Sequence, residues 1–247
     1  LPRQDSLVAL DSLINTLSKN KDFEAVESEV YGEATWQLAH QWECTGGINA
    51  SWFATDNTWY KAFSPRLKLL HGPAVETGWA QWISYRQMVQ YMHQIGSFNI
   101  GLPFELWVPS TKKVKPELVR QISAGAKWSN KTWSITTEVY YKKMYNSLVL
   151  LSSDRTLSAG GTEDASGWED RIARGEGNSR GFELMLAKRR YNTQGDITYT
   201  YSRSERRFDD LNLGQPFPFQ FDRPHKINVF ILQDLKSWLN ISAHWTY

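Results

Sequence analysis

Residues 175–201 read GEGNSRGFELMLAKRRYNTQGDITYTY, and this stretch decides the fold class. On both sides of a polar turn at 192–194 every second residue is apolar: Phe182, Leu184 and Leu186, then Ile197, Tyr199 and Tyr201. Strict alternation gives a strand one apolar face, which avoids water, and one polar face, which contacts water. Two such strands joined by a few polar residues predict a β-hairpin, which we expect to be the template for most of the chain.

The same alternation recurs from about Val26 to the end of the chain. The runs span about 9–15 residues, whereas soluble strands usually have about 5–6 and tilted membrane strands need about 9–11. We expect short connections near positions 40, 73, 130, 192 and 235, and long ones near 57, 105, 163 and 215. Outer-membrane barrels combine short periplasmic turns with long extracellular loops. The sequence therefore predicts an all-β, antiparallel transmembrane β-barrel with about ten strands.

The amino-acid composition excludes some classes of protein and favours others. The 247 residues include 28 Lys and Arg against 26 Asp and Glu, so charge gives no reason to expect a nucleic-acid partner. No apolar run reaches about 18 residues, which excludes a transmembrane helix. The 12 Trp and 11 Tyr suit a membrane interface. Cys44 is the only cysteine, so neither a disulfide within the chain nor a cysteine metal cluster can form.

The two ends of the chain differ from the rest. Residues 1–25 carry apolar residues at helical spacing and predict a loop or a short amphipathic helix, whereas residues 26–247 predict the barrel part. The chain begins at Leu1 without a Met and stops inside an alternating run at Tyr247. Although about ten strands could close alone, this abrupt start and end indicate a fragment, an arc of a larger barrel.

Several segments, in this order, resemble the barrel of TonB-dependent outer-membrane receptors. They are RQMVQY (86–91), LPFELWVPS (102–110), KPE (115–117), EVYYKKM (138–144), GEG (175–177) with GFE (181–183), YTYS (199–202) with RRF (206–208), NLG (212–214) with FP (217–218), and DRPH (222–225). Any one segment alone would be weak, but the ordered series is specific. The resemblance covers about residue 26 to the end.

The resemblance implies a barrel of about 22 strands closed around a plug domain, of which this chain is a C-terminal-side portion. The chain is similar to the barrels of receptors that carry an N-terminal carboxypeptidase-regulatory-like domain before the plug. It implies outer-membrane lipid around the barrel in a Gram-negative bacterium, and the TonB complex as a partner through the missing N-terminal part. A nutrient of unknown identity would be imported. The chain as given shows neither plug nor TonB box, so alone it could not carry out gated transport.

Candidate ligand-binding residues fall into two groups. Specificity should reside in the long loops, because barrel walls are fixed and loops vary. The loop candidates are Trp107, Glu105 and His93 in the stretch 92–117, and Trp168 in the stretch 152–174. The candidates on polar strand faces are Glu138, Lys142, Arg180 and Glu183. These four either line a hydrated lumen, where charges pair with one another or with a plug, or lie on the route of the ligand.

Two other classes of function stay open at this stage. A self-contained ten-strand outer-membrane hydrolase would need paired acids and a His near the rim; Asp209 and Asp210 lie in a loop, but no His is clearly beside them. A soluble β-sandwich that binds glycans would also be rich in aromatic residues. The five histidines show no metal-ligand spacing, and we expect no catalytic residue, metal site or cofactor.

Overall fold

The computed structural model describes residues 24–55, 58–72, 77–96, 105–150, 169, 172–189 and 192–247. These residues form thirteen strands, and all pairings between them are antiparallel. A short 3₁₀ turn, Asn212–Gly214, lies between β10 and β11. None of the described residues belongs to a helix long and apolar enough to cross a membrane.

The first seven strands are β1 (Ala25–Ala39), β2 (Trp42–Thr55), β3 (Thr58–His71), β4 (Gly78–Gln90), β5 (Met92–Gly96), β6 (Glu105–Pro109) and β7 (Glu117–Ser129). The remaining six are β8 (Trp133–Leu150), β9 (Ile172–Lys188), β10 (Thr193–Phe208), β11 (Phe217–Pro218), β12 (His225–Lys236) and β13 (Leu239–Thr246). The prediction of an all-β antiparallel fold is confirmed. The predicted hairpin at 175–201 is the β9–β10 pair.

Ten strands form one continuous sheet in the order β1-β2-β3-β4-β7-β8-β9-β10-β12-β13. The predicted count of about ten barrel strands is therefore confirmed. The short strand β11 pairs with β10, and β5 and β6 form a separate hairpin. Among the described residues β1 and β13 each pair on one side only, so the barrel is not closed. Residues 1–23 lie outside the described part, so the expected loop or helix at 1–25 stays a prediction.

The lengths of the connections agree with the prediction at every place but one. The predicted long loop near position 57 is wrong, because β2 ends at Thr55 and β3 begins at Thr58. The polar stretch 54–61 suggested a loop, but most of it forms the ends of two paired strands, with Phe53 opposite Tyr60 and Trp52 opposite Lys61. Long connections follow β4, β8 and β10, and they all lie at the same end of the sheet.

Register divides the sheet into two faces. One row crosses the strands through Ser84, Ser123, Tyr140, Gly181 and Ser202. The adjacent row, on the opposite side, crosses through Tyr85, Ile122, Tyr141, Arg180 and Arg203. We name the side of Ser123 the polar face and the side of Ile122 the apolar face.

Large apolar side chains on the apolar face are exposed. Trp133 is 41% exposed and Val139 50%, whereas on the polar face Gln121 and Ser123 are each 5% exposed. Among the described residues no second sheet covers the apolar face. A membrane barrel requires a single layer of strands whose apolar face points outward to the lipid.

The most buried part of the described structure lies on the polar face, at the end of the long connections. The rings of Phe53 and Tyr91 stack with centroids 4.9 Å apart and planes 4° apart. The Tyr91 hydroxyl lies 2.8 Å from Ser51 Oγ, and the Tyr60 hydroxyl donates to the Thr111 carbonyl at 2.8 Å. The β5–β6 hairpin and the segment after it are thereby held against the inner side of β2 and β3.

Fewer backbone hydrogen bonds join neighbouring strands of the ten-strand sheet at the place where this hairpin packs against it. Strands β3 and β4 pair only between Arg66–His71 and Gln81–Arg86. Beyond that point β4 continues along β7, and the Gln87 side chain donates to the Phe63 carbonyl at 2.9 Å. Pro65, which has no N–H to donate, lies next to the place where the pairing of β3 with β4 stops.

Candidate functional site

The β5–β6 hairpin carries three of the predicted loop residues. Trp107 is 55% exposed, and Glu105 pairs through its backbone with Gly96 at the open end of the hairpin. His93 lies opposite Val108 and is only 3% exposed. The Trp107 side chain is therefore open to solvent, whereas the His93 side chain is enclosed.

His93 belongs to a buried hydrogen-bond chain. Its Nε2 lies 3.0 Å from Ser110 Oγ, and Ser110 Oγ donates to the Tyr91 carbonyl at 2.9 Å. Burial lowers the pKa of His93 from 6.5 to about 4, because the charged imidazolium would lose its hydration. The imidazole is therefore neutral at physiological pH and fixes the hairpin to the segment that follows it.

A basic cleft opens beside this segment. The cavity measures about 380 Å³ and is lined by Lys112, Lys113, Val114, Glu169, Ile172 and Arg174. Three of these side chains are cationic and one is anionic. Arg174 Nη1 donates to the Lys113 carbonyl at 3.0 Å, and the Thr111 hydroxyl donates to the Glu169 carboxylate. The cleft can therefore attract a ligand that carries negative charge.

A half-buried acid, Glu117, and a half-buried base, Arg206, lie on the polar face near the same end. Ser147 Oγ donates to Glu117 Oε1 at 3.0 Å, and the Arg206 guanidinium lies 4.3 Å from the centre of the Phe219 ring. The Glu117 carboxylate and the Arg206 guanidinium carry opposite charges and attract each other. A β-carbon at Gly177 would lie 2.6 Å from Arg206 Nη1, so only a glycine lets this side chain lie across β9.

Three of the four predicted wall residues share the polar face. Trp82 Nε1 donates to Glu138 Oε2 at 3.2 Å, and Glu138 lies directly opposite Glu183. The Lys142 ammonium lies 4.8 Å from the centre of the Tyr140 ring. These charged groups line the side of the sheet that faces away from the exposed apolar residues.

Arg180 corrects the expectation that all four residues share one face. It lies opposite Tyr141 on β8 and Arg203 on β10, on the side of Phe182 rather than Glu183. Charge alone suggested a polar strand face. The period of two places Arg180 on the apolar face, in the middle of β9, next to the apolar run that begins at Phe182.

Sequence reasoning missed several residues of this region. It did not single out Glu117 and Arg206, whose proximity depends on the register of four neighbouring strands. The sequence signal for the basic cleft is the pair Lys112-Lys113 inside a long loop. Trp168 lies outside the described residues, so its predicted role stays a prediction. In the described part of the chain no group of three or more His, Cys, Asp or Glu side chains could hold a metal ion.

Comparison with known proteins decides the family. The profile of the family described as "TonB dependent receptor-like, beta-barrel" matches residues 4–247. The chain belongs to this family. No curated protein matches the chain in sequence.

Solved structures share the fold of this receptor barrel. The FrpB iron transporter from Neisseria meningitidis (F3-3 variant) aligns with a TM-score of 0.62 and 11% identity, covering 98% of this chain and 36% of that one. The ferric-catecholate import receptor Fiu from E. coli K12 gives 0.61 and 14%, covering 90% and 34%. The ferripyoverdine receptor of the Pseudomonas aeruginosa outer membrane, bound to ferripyoverdine, gives 0.61 and 10%, covering 90% and 28%.

These findings orient the receptor barrel. Its family belongs to the outer membrane of Gram-negative bacteria, and the family and its neighbours are receptors and transporters. The chain spans about a third of the length of the solved structures that it matches. The end with the long connections is extracellular, because short turns face the periplasm in such barrels. The basic cleft and the β5–β6 hairpin therefore lie at the extracellular end.

Proposed function

We propose that this receptor barrel forms the C-terminal-side wall of a transporter that captures a nutrient at its extracellular end and imports it with energy from TonB. The basic cleft is the observation that carries the proposal, because it is a concave, charged surface at the end that faces the medium. A plug domain elsewhere in the full-length protein would close the lumen and be displaced when TonB pulls.

The charge of the cleft favours an anionic ligand. Arg174 and Lys112 are exposed, and together with Lys113 they give the cleft an excess of positive charge over Glu169. Guanidinium groups bind carboxylates and phosphates through two parallel hydrogen bonds. Two of the structural neighbours are a ferric-catecholate import receptor and a ferripyoverdine receptor. A negatively charged iron chelate therefore fits this cleft better than a neutral glycan or cobalamin.

Trp107 and the polar face complete the proposed route. The exposed Trp107 ring can stack on a flat or aromatic part of a chelate. Below the hairpin, Glu138, Lys142 and Glu183 line the polar face, and they would contact the plug or the passing ligand. Arg180 has no part in this route, because it lies on the other face.

Uptake by whole cells tests the proposal. A strain that lacks the gene for the full-length receptor is complemented with the wild type and given four probes: a ferric tricatecholate, cyanocobalamin, a maltooligosaccharide and a tripeptide. We expect accumulation of the ferric tricatecholate to depend on the receptor and on active TonB. Uptake that persists without TonB would contradict the energy coupling. If the receptor were needed only for the accumulation of a neutral probe, the assignment of an anionic ligand would be wrong.

A further inference from the structure

Residues 111–114 form a tight turn that carries two of the three cations of the basic cleft, and we name it the lysine turn. The Thr111 N–H donates to the Val114 carbonyl at 2.9 Å, and the Val114 N–H donates to Thr111 Oγ1 at 3.2 Å. Val114 is only 2% exposed, whereas Lys112 and Lys113 are exposed and line the cleft. The backbone that carries the two lysines is therefore fixed by the turn itself.

Side chains from two distant strands hold the lysine turn at its two ends. On β3 the Tyr60 hydroxyl donates to the Thr111 carbonyl at 2.8 Å, across 51 residues of sequence. On β9 Arg174 Nη1 donates to the Lys113 carbonyl at 3.0 Å, across 61 residues. The positions of β3 and β9 therefore decide where the two lysines lie.

Tyr60 differs from the other groups that hold the turn, because it is neutral and does not itself line the cleft. Arg174 both binds the turn and lines the cleft. The Thr111 hydroxyl donates to the carboxylate of Glu169, the anionic residue among the described residues that line the cleft. Tyr60 therefore holds the turn in place without neutralising any of its cations.

The tether matters because like charges in one cleft repel one another. Lys112, Lys113 and Arg174 line a cavity of about 380 Å³, so a turn without its tether would move the lysines away from Arg174 into solvent. A ligand would then have to order the turn again, and the ordering of loops and long side chains lowers affinity. Cations that are held in place before the ligand arrives avoid this loss.

We propose that Tyr60 is a positioning residue, which holds the lysine turn so that Lys112, Lys113 and Arg174 bind one anionic ligand together. The role of Tyr60 rests on the proposed function, because it concerns the same cleft. Tyr60 acts on the ligand only through the turn, so its effect on binding depends on the two lysines.

Binding to the purified full-length receptor in detergent tests the role of Tyr60. The probes are a ferric tricatecholate and pyrophosphate, and the proteins are the wild type, Tyr60→Phe, Lys112→Gln/Lys113→Gln and the triple variant that combines them. Tyr60→Phe should weaken the binding of both probes about fivefold at low salt, since one neutral hydrogen bond contributes about that factor. In the Lys112→Gln/Lys113→Gln background the same substitution should change affinity less than about twofold, because residues that act through one another are not additive.

The salt concentration separates positioning from a general loss of structure. At high salt the effect of Tyr60→Phe should shrink, because the tyrosine acts through exposed charges that salt screens. A structural defect alone would weaken binding equally at both salt concentrations. Tyr141→Phe is the matched control, because it removes a hydroxyl that donates to Asn178 Oδ1 at 3.0 Å on the apolar face, and it should leave both affinities unchanged.

The outcomes distinguish the role of Tyr60 from the import of an anionic nutrient. An equal loss with and without the two lysines, or an equal loss in Tyr141→Phe, would overturn the role of Tyr60 and leave the proposed function standing. A wild type that binds pyrophosphate but not the ferric tricatecholate would contradict the iron chelate as ligand, and the pyrophosphate series would then decide the role of Tyr60. A wild type that binds neither probe would overturn both.

Discussion

Tyr91 stacks on Phe53 in nearly parallel planes, and its hydroxyl reaches Ser51 on the same strand as Phe53. This contact joins the hairpin that follows β4 to the inner side of β2. Because Phe53 is 1% and Tyr91 2% exposed, the hairpin is held against the wall by close packing. The hairpin leads into the residues 112–114 that line one side of the basic cleft.

Truncation of Phe53 should release the hairpin. Phe53→Ala should cost about 3–5 kcal/mol of the free energy that holds the hairpin to the wall, because it leaves a cavity under Tyr91. Hydrogen exchange of residues 105–114 measures the effect. Tyr91→Phe is the graded control, since it keeps the ring and loses only the hydrogen bond, for about 1 kcal/mol. Unchanged exchange in Phe53→Ala would show that the packing does not hold the hairpin.

The hairpin should loosen in mild acid because of His93. The pKa of His93 is about 4 in the folded hairpin against 6.5 when exposed, so the unfolded form binds more protons between these values. The part of the free energy of unfolding that depends on neutral His93 is fully present above pH 6.5 and is lost as the pH falls to about 4. The total loss is about 3 kcal/mol. Hydrogen exchange at pH 4–7 measures this slope. His93→Gln should be flatter over the same range, and an equal slope in both proteins would contradict the assignment.

Gly125 should not tolerate a side chain. A β-carbon there would overlap the Trp82 ring and lie 2.8 Å from the Thr137 carbonyl oxygen, so Gly125→Ala should cost about 1–3 kcal/mol and break the Trp82–Glu138 hydrogen bond. Unfolding of the refolded receptor in urea measures the loss. Gly32→Ala is the matched control in a strand, because nothing lies within 4 Å of its β-carbon, and it should be neutral or slightly stabilising.

The basic cleft should bind its ligand in a salt-dependent way. Arg174→Gln and Lys112→Gln should each weaken binding of a ferric tricatecholate about threefold to tenfold at low salt, and the difference should shrink at high salt, because exposed charges are screened. Equilibrium binding to the purified full-length receptor measures this. Lys115→Gln removes an exposed cation of the same segment that does not line the cleft, and it should leave the affinity unchanged. Equal losses in all three variants would point to general charge attraction instead of a cleft.

Alternation of apolar residues predicted the sheet, since Ile135 and Val139 must share a face whatever the rest of the chain does. The same alternation places Arg180 on the side of Phe182, although its charge favours the lumen. In a membrane barrel the outward face is apolar only where it contacts lipid, so a charged residue on the part of a strand beyond the lipid can lie on either face. The polar residues at 54–61 led to the wrong prediction of a loop for a similar reason. The polar face at the end of a strand has the same kind of composition as a loop.

Other features could not be read from the sequence. The contact of Tyr91 with Phe53 joins residues far apart in the chain, and it depends on β4 leaving β3 after Arg86. The neighbourhood of Glu117, Ser147 and Arg206 depends on the register of β7, β8, β9 and β10 together. A bulge lies in β8 between Tyr145 and Ser147, and no local pattern in the sequence marks it.

The short pairing between β3 and β4 has a mechanical consequence. Past Arg66 and Arg86 the two strands share no ladder bonds among the described residues, and cohesion passes to the Gln87 amide and the stacked hairpin. A wall pulled along its axis yields first where the fewest bonds share the load. Under tension the β3–β4 contact would separate before any other contact between neighbouring strands of the ten-strand sheet.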